Sequence, residues 1–180
     1  CYVQAEKYSK GHDVFNIKVK INIIDKLINE LPKYLRKFSG GIIYLGTSSD
    51  PYQPVENKFQ LSHKILSVLL HHTPYNIHIF TKSHLVLNDI DLFKKFSGRV
   101  NISITLITVD KNIKDIFEPN SDSIDSRLST IEQLNKENIS CGCAIMPILP
   151  YITDSTEHLT ELFSKLKQHR CKSVSYTHLT

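Results

Sequence analysis

The sequence predicts an α/β protein of parallel strands joined by single helices, a partial (β/α) barrel of the TIM type. Three observations carry that prediction. Short apolar runs recur, and each ends in polar residues or is broken by them: Ile42-Ile43-Tyr44-Leu45, then Ile77-His78-Ile79-Phe80 ahead of Thr81-Lys82-Ser83, then 100–106 with Ser103 and Thr105 inside it, then 144–149 interrupted by Pro147. The segments between these runs carry apolar residues at helical spacing. A dense polar loop, Gly46-Thr47-Ser48-Ser49-Asp50-Pro51-Tyr52-Gln53-Pro54-Val55-Glu56, follows the first run, and this strand-end edge is where parallel α/β folds carry their ligands.

The elements follow in order. Residues 25–38 place apolar side chains at 27, 28, 31, 35 and 38, a helix stopped by Gly40-Gly41. Strand 42–45 comes next. Residues 59–71 are helical by apolar positions 59, 61, 65, 66, 68, 69 and 70, with Thr73-Pro74 as the stop. Strand 76–80 leads to a short helix over 88–96, with Asn88 or Asp89 as its cap and Gly98 near its end. Strand 100–106 precedes a short helix over 111–117, the turn-like Glu118-Pro119-Asn120-Ser121 and a helix over 123–138. Strand 139–149 leads through Tyr151-Ile152-Thr153 into a last helix over 154–168, and a short strand follows at 171–176. Four secure strands are too few to close a barrel, so the chain reads as part of one, truncated at both ends. The expected organisation is an incomplete core domain over 1–170, with 171–180 either the start of a last strand or a non-native tail.

Composition fits one domain with a sizeable core: 180 residues, 41% hydrophobic and 22% charged. The formal charge of +4 is spread in pairs such as Lys18 and Lys20, Lys94 and Lys95, and Lys165 and Lys167, so most of it reads as solvated surface, with nucleic acid kept as an alternative partner. No stretch of 18 apolar residues exists, and the first residues have neither a basic region nor an apolar core; the expected location is cytoplasmic, without a membrane partner. The 21–35 region reads as a core-facing helix. The four cysteines, Cys1, Cys141, Cys143 and Cys171, lack the spacing of a disulfide framework.

The polar landmarks, taken together, carry a resemblance. Cys1-Tyr2, Val19-Lys20, the whole run from Gly46 to Glu56, Phe80-Thr81-Lys82-Ser83, Asp89-Ile90-Asp91-Leu92, Ile102-Ser103-Ile104-Thr105, Glu118-Pro119 with Arg127-Leu128, and Pro147-Ile148-Leu149-Pro150 resemble, in that order, the spore photoproduct lyase-like branch of the radical SAM enzymes. The resemblance spans about residues 1–168, and the run Asp-Pro-Tyr-Gln-Pro-Val-Glu followed by Thr-Lys-Ser is its most specific part. It implies a 4Fe-4S cluster held by Cys-x-x-x-Cys-x-x-Cys, with Cys1 as the last ligand and the other two upstream; one cysteine of three should not hold the cluster. It implies S-adenosylmethionine as the cofactor, cleaved reductively to a 5'-deoxyadenosyl radical that abstracts hydrogen from a substrate, with an electron donor such as a flavodoxin or ferredoxin. Ser49, Lys82 and Ser103 fall at cofactor-contacting positions, Lys82 suited to the carboxylate and the hydroxyls to methionine or ribose, and Thr105 shares the strand-end cavity expected of such a barrel.

The sequence also departs from the pattern. His63 and Asn88 stand where relatives often have Arg, and Tyr151 replaces the usual Gly after Pro150. The DNA-repair lyase uses a cysteine hydrogen donor in the loop that here reads Thr47-Ser48-Ser49, so photoproduct repair is not the leading assignment, and the catalytic residues and substrate are left unassigned. Glu118 and Arg127 read as a buried ion pair fixing their loop, with substrate contact the other reading, and Asp50 with Pro51 and Pro54 as a rigid turn. Cys141 and Cys143 share one side of a strand, either as buried packing or as a metal or redox pair. His71-His72, His78 and His84 lack ligand spacing and read as surface or packing histidines. The rivals to the enzyme reading are a cluster-less barrel that binds nucleic acid or another partner, and a metal-assisted hydrolase whose ligands cannot be assembled here.

Overall fold

A computed structural model of the chain describes residues 19–178. Its centre is one five-stranded, all-parallel sheet in the order β1-β2-β3-β4-β5: β1 Ile42–Leu45, β2 Asn76–Thr81, β3 Val100–Thr105, β4 Ser140–Ile148 and β5 Val174–His178. Spatial order equals sequence order, as in a barrel wall laid down one β/α unit at a time. The helices are α1 Ile23–Lys37, α2 Glu56–Phe59, α3 Leu61–His72, α4 Ile90–Lys95, α5 Lys111–Phe117, α6 Ile124–Lys136 and α7 Thr156–Gln168, with a 3-10 segment at His84–Asp89.

Side-chain alternation along the strands sorts the sheet into two faces. Ile77 and Ile79, Ile102 and Ile104, and Cys141, Cys143 and Ile145 join Leu66, Leu70, Phe93, Ile131, Leu134 and Leu162 in the core under the helices. The other parity of the same strands carries Tyr44, His78, Phe80, Ser103, Thr105, Gly142 and Ala144. Register aligns these across the sheet: Tyr44 pairs with His78, Phe80 with Ser103, Ser103 with Gly142 and Thr105 with Ala144. One face is therefore apolar and helix-covered, while the helix-free face is polar and aromatic.

Helix starts follow local chemistry. Asp110 accepts from the N–H groups of Asn112 and Ile113 to open α5, Ser123 accepts from Ser126 to open α6, and Ser155 accepts from His158 to open α7. The helix expected over 59–71 is instead two pieces separated by Gln60, whose φ is +50°. The break lets the Glu56 carboxylate accept the Ser62 N–H at 2.8 Å, while the Ser62 hydroxyl donates to the Pro51 carbonyl, tying α3 to the loop after β1. The helix expected over 88–96 begins with the 3-10 segment, and Asp89 makes no capping bond because its carboxylate is used elsewhere. Among the described residues, no helix is long and apolar enough to cross a membrane.

Candidate functional site

The polar loop after β1 is fixed to β2 by a single carboxylate. Oδ1 of Asp50 accepts the Tyr52 N–H at 2.9 Å and the Thr81 hydroxyl at 2.7 Å, and Oδ2 accepts the Lys82 N–H at 2.7 Å. Asp50 thus shapes the turn expected of it and also sets the backbone of Lys82. Gly46 makes the loop possible: its φ is +89°, and a Cβ there would run into the carbonyl oxygen of Phe80.

A second carboxylate, this one buried, holds the same loop from outside. Asp89, 3% exposed, accepts the Tyr52 hydroxyl at 2.6 Å, and Nδ1 of His63 lies 2.5 Å from its other oxygen. Burial first, and then the Asp89 charge, push the Tyr52 phenol well above its usual pKa, so it stays a proton donor. Tyr52, His63 and Asp89 also line a cleft of about 200 Å³ with Glu56, Gln60 and Asn88. Sequence reasoning treated His63 only as a departure from the family pattern, and nothing in its local spacing announces Asp89 as its partner.

The carboxyl edge of β2 and β3 is charged. Nζ of Lys82, a side chain 37% exposed, lies 3.6 Å from Oε1 of Glu118, while Oε2 of Glu118 sits 2.6 Å from the guanidinium of Arg127. Arg127 is 0% exposed and also donates to the carbonyls of Thr105 and Asp122 and to the Ser121 hydroxyl. The Glu118–Arg127 pair is thus the buried pair expected from sequence, and it ties the segment before α6 to the end of β3. With Glu118 already satisfied, the Lys82 ammonium retains hydrogen-bonding capacity toward a ligand carboxylate. Lys82 lines a cleft of about 290 Å³ with Asp50, Tyr52, Ser83, His84 and Asp122; in it, Nδ1 of His84 lies 2.7 Å from Asp122.

The other expected site residues lie apart from that cleft. Ser49 is exposed on the loop. Ser103 and Thr105 stand on the helix-free face of β3, buried, and one residue past the Thr81–Ile104 pair on each strand come Lys82 and Thr105. Ser103 hydrogen-bonds His78 at 2.8 Å, and His78, Phe80 and Tyr44 form a cluster of mutually stacked rings. Sequence reasoning assigned His78 to surface or packing; the alternation Ile77/Ile79 against His78/Phe80 was the signal that places it with Ser103. Cys1 lies outside the described residues. Cys141 and Cys143 are buried on the helix side, their thiols pushed up mainly by burial, and among the described residues no His, Cys, Asp and Glu cluster could hold a metal ion. The packing reading holds for both.

The architecture is that of the radical SAM partial (β/α) barrels. Spore photoproduct lyase complexed with dinucleoside spore photoproduct superposes with a TM-score of 0.69 at 19% identity, covering 98% of this chain and 50% of that one. Native anSMEcpe with bound AdoMet superposes with a TM-score of 0.59 at 9% identity, covering 94% of this chain and 46% of that one. In sequence, the chain is 35% identical over 156 residues to an uncharacterized protein of Methanocaldococcus jannaschii, covering 86% of this chain and 56% of that protein. It is 30% identical over 155 residues to an uncharacterized protein of Mycobacterium tuberculosis, covering 83% and 44% respectively. The chain thus spans about half the length of the curated relatives it matches. No family model matches it.

Proposed function

We propose that the chain is part of the core domain of a radical SAM enzyme of the spore photoproduct lyase-like branch. The observation that carries this reading is the carboxyl-edge arrangement around Lys82: a partly exposed ammonium, its backbone set by Asp50, beside a Glu118 already paired with Arg127. That donor set fits the carboxylate of S-adenosylmethionine, and the hydroxyls of Ser49, Ser103 and Thr105 fit its other polar groups. A 4Fe-4S cluster, with Cys1 as one ligand, would supply the electron that cleaves the bound cofactor, itself reduced by a flavodoxin or ferredoxin. The residues of this chain bind and orient the cofactor: Lys82 neutralises its carboxylate, the hydroxyls fix its rotation, and the Asp50-held loop closes over it. Substrate recognition falls to loops at the same edge and to parts of the protein beyond this chain. Residues 1–170 belong to that one domain.

The test uses the full-length protein, reconstituted anaerobically with iron and sulfide. Four iron per chain, together with 5'-deoxyadenosine released on dithionite reduction in the presence of S-adenosylmethionine, is the expected result. Lys82→Ala should weaken cofactor binding at least tenfold, the loss of about one charge-assisted hydrogen bond. A mononuclear metal, or no metal and no cofactor binding, would sink the enzyme reading and leave a binding barrel.

A further inference from the structure

The helix-free face holds a polar pair of which the reading above uses only Ser103. Nε2 of His78 lies 2.8 Å from Oγ of Ser103, between neighbouring strands. The imidazole packs in a three-ring cluster: the Phe80 ring stacks on it at 4.5 Å and 7°, the Tyr44 ring lies at 5.7 Å and 27°, and Tyr44 and Phe80 are themselves 6.3 Å apart. Reorienting it would cost the close Phe80 stack. Gly142, beside Ser103 in register, leaves no side chain to compete for the hydroxyl.

We infer that His78 is a positioning residue of the cofactor site, holding the Ser103 hydroxyl in one direction toward the ligand. The inference rests on the proposed cofactor role of Ser103. Its chemistry follows from tautomers. A neutral imidazole has one N–H and one lone pair. If Nε2 accepts from Ser103, the serine oxygen offers only its lone pairs to the ligand; if Nε2 donates, one lone pair is taken and the serine proton stays available to the ligand. Either way the imidazole occupies one of the hydroxyl's bonding directions and narrows its rotation, which suits a ligand hydroxyl of fixed orientation and lowers the entropy lost on binding. Burial keeps the ring in its neutral form by lowering its pKa.

The experiment measures S-adenosylmethionine affinity and the rate of 5'-deoxyadenosine release in the full-length reconstituted protein. The variants are His78→Phe, His78→Gln, Ser103→Ala and the double variant His78→Phe with Ser103→Ala. Phe keeps the aromatic stack and removes only the hydrogen bond, so a thermal midpoint near wild type separates positioning from folding. His78→Phe and Ser103→Ala should each weaken the cofactor roughly five- to tenfold, about one hydrogen bond. The double variant should be no weaker than either single one, and His78→Gln, whose amide reaches Ser103, should recover most of the affinity. Loss in Ser103→Ala with wild-type binding in His78→Phe overturns the inference and leaves the cofactor reading standing, as do losses that multiply in the double variant. If neither wild type nor Lys82→Ala binds the cofactor, both fall.

Discussion

The Tyr52 hydroxyl donates to the buried carboxylate of Asp89 at 2.6 Å, across 37 residues of sequence. The bond joins the loop after β1 to the residue that opens α4, and His63 on α3 holds the carboxylate's other oxygen. One acidic group thereby fixes three elements around the polar loop, while Asp50 fixes the same loop to β2 from inside.

Tyr52→Phe tests that clamp with almost no change in volume. The variant leaves one oxygen of a 3% exposed carboxylate without its donor. Denaturant unfolding should show a loss of about 1–3 kcal/mol, the cost of an unsatisfied buried polar group. A loss within error would mean that water or a shifted His63 takes over the bond.

Arg127 is the larger test of the charged edge. Its guanidinium is fully buried and serves Glu118, two carbonyls and a hydroxyl at once. Arg127→Met should cost about 3–5 kcal/mol by leaving Glu118 buried with only the partly exposed Lys82 ammonium at 3.6 Å. Arg127→Lys should not restore stability, because an ammonium cannot span the same fork of acceptors. Adding Glu118→Gln to Arg127→Met should recover part of the loss, and a double variant as unstable as the first would refute charge as the cause.

Two left-handed residues should respond with opposite signs. Tyr151 has φ +64° and a side chain 99% exposed, in a turn held by the Thr153 hydroxyl accepting the Leu149 N–H. Tyr151→Gly relieves backbone strain without removing packing, so stability should be unchanged or rise by up to about 1 kcal/mol. Gly46→Ala adds both strain and a collision with the Phe80 carbonyl and should cost more than about 1 kcal/mol. Equal responses at the two positions would show that left-handed backbone strain is not what distinguishes them.

β2 to β4 were legible because each is buried on at least one face and reads as a short apolar run, and β1, though half-exposed, is as apolar a run, which is why β1 to β4 lie where the sequence places them. The Glu118–Arg127 pair and the Asp50 turn were legible because few roles suit such groups beside Pro119 and Pro51. The split at Gln60 was not, since it depends on the Glu56 side chain reaching the Ser62 N–H, a bond that helical periodicity does not encode. His63 and His78 were undervalued for a related reason: their partners lie 26 and 25 residues away on other elements, His78 meeting Ser103 across the parallel β2–β3 register and His63 meeting Asp89 only in the tertiary fold. The Tyr151 substitution, by contrast, was visible in sequence as a missing glycine, and the positive φ supplies its physical meaning.

His78 also leaves a signature in the pH dependence of stability. Burial lowers its pKa below the ordinary 6.5, so the folded chain resists a proton that the unfolded chain accepts. Well above pH 6.5 the imidazole is neutral in both states and contributes no slope. As pH falls below 6.5, the unfolded state gains the proton first, so stability drops through the window down to the folded pKa and then levels off. In His78→Phe the stack remains and this proton uptake is gone. The stability difference between wild type and variant, taken from denaturant midpoints at a series of pH values, should therefore be flat well above pH 6.5 and shift against wild type as pH falls through 6.5 and below it. A difference that is constant across the whole range would mean that the imidazole titrates alike in both states, and that its packing beside Phe80 and Tyr44 does not exclude water from it.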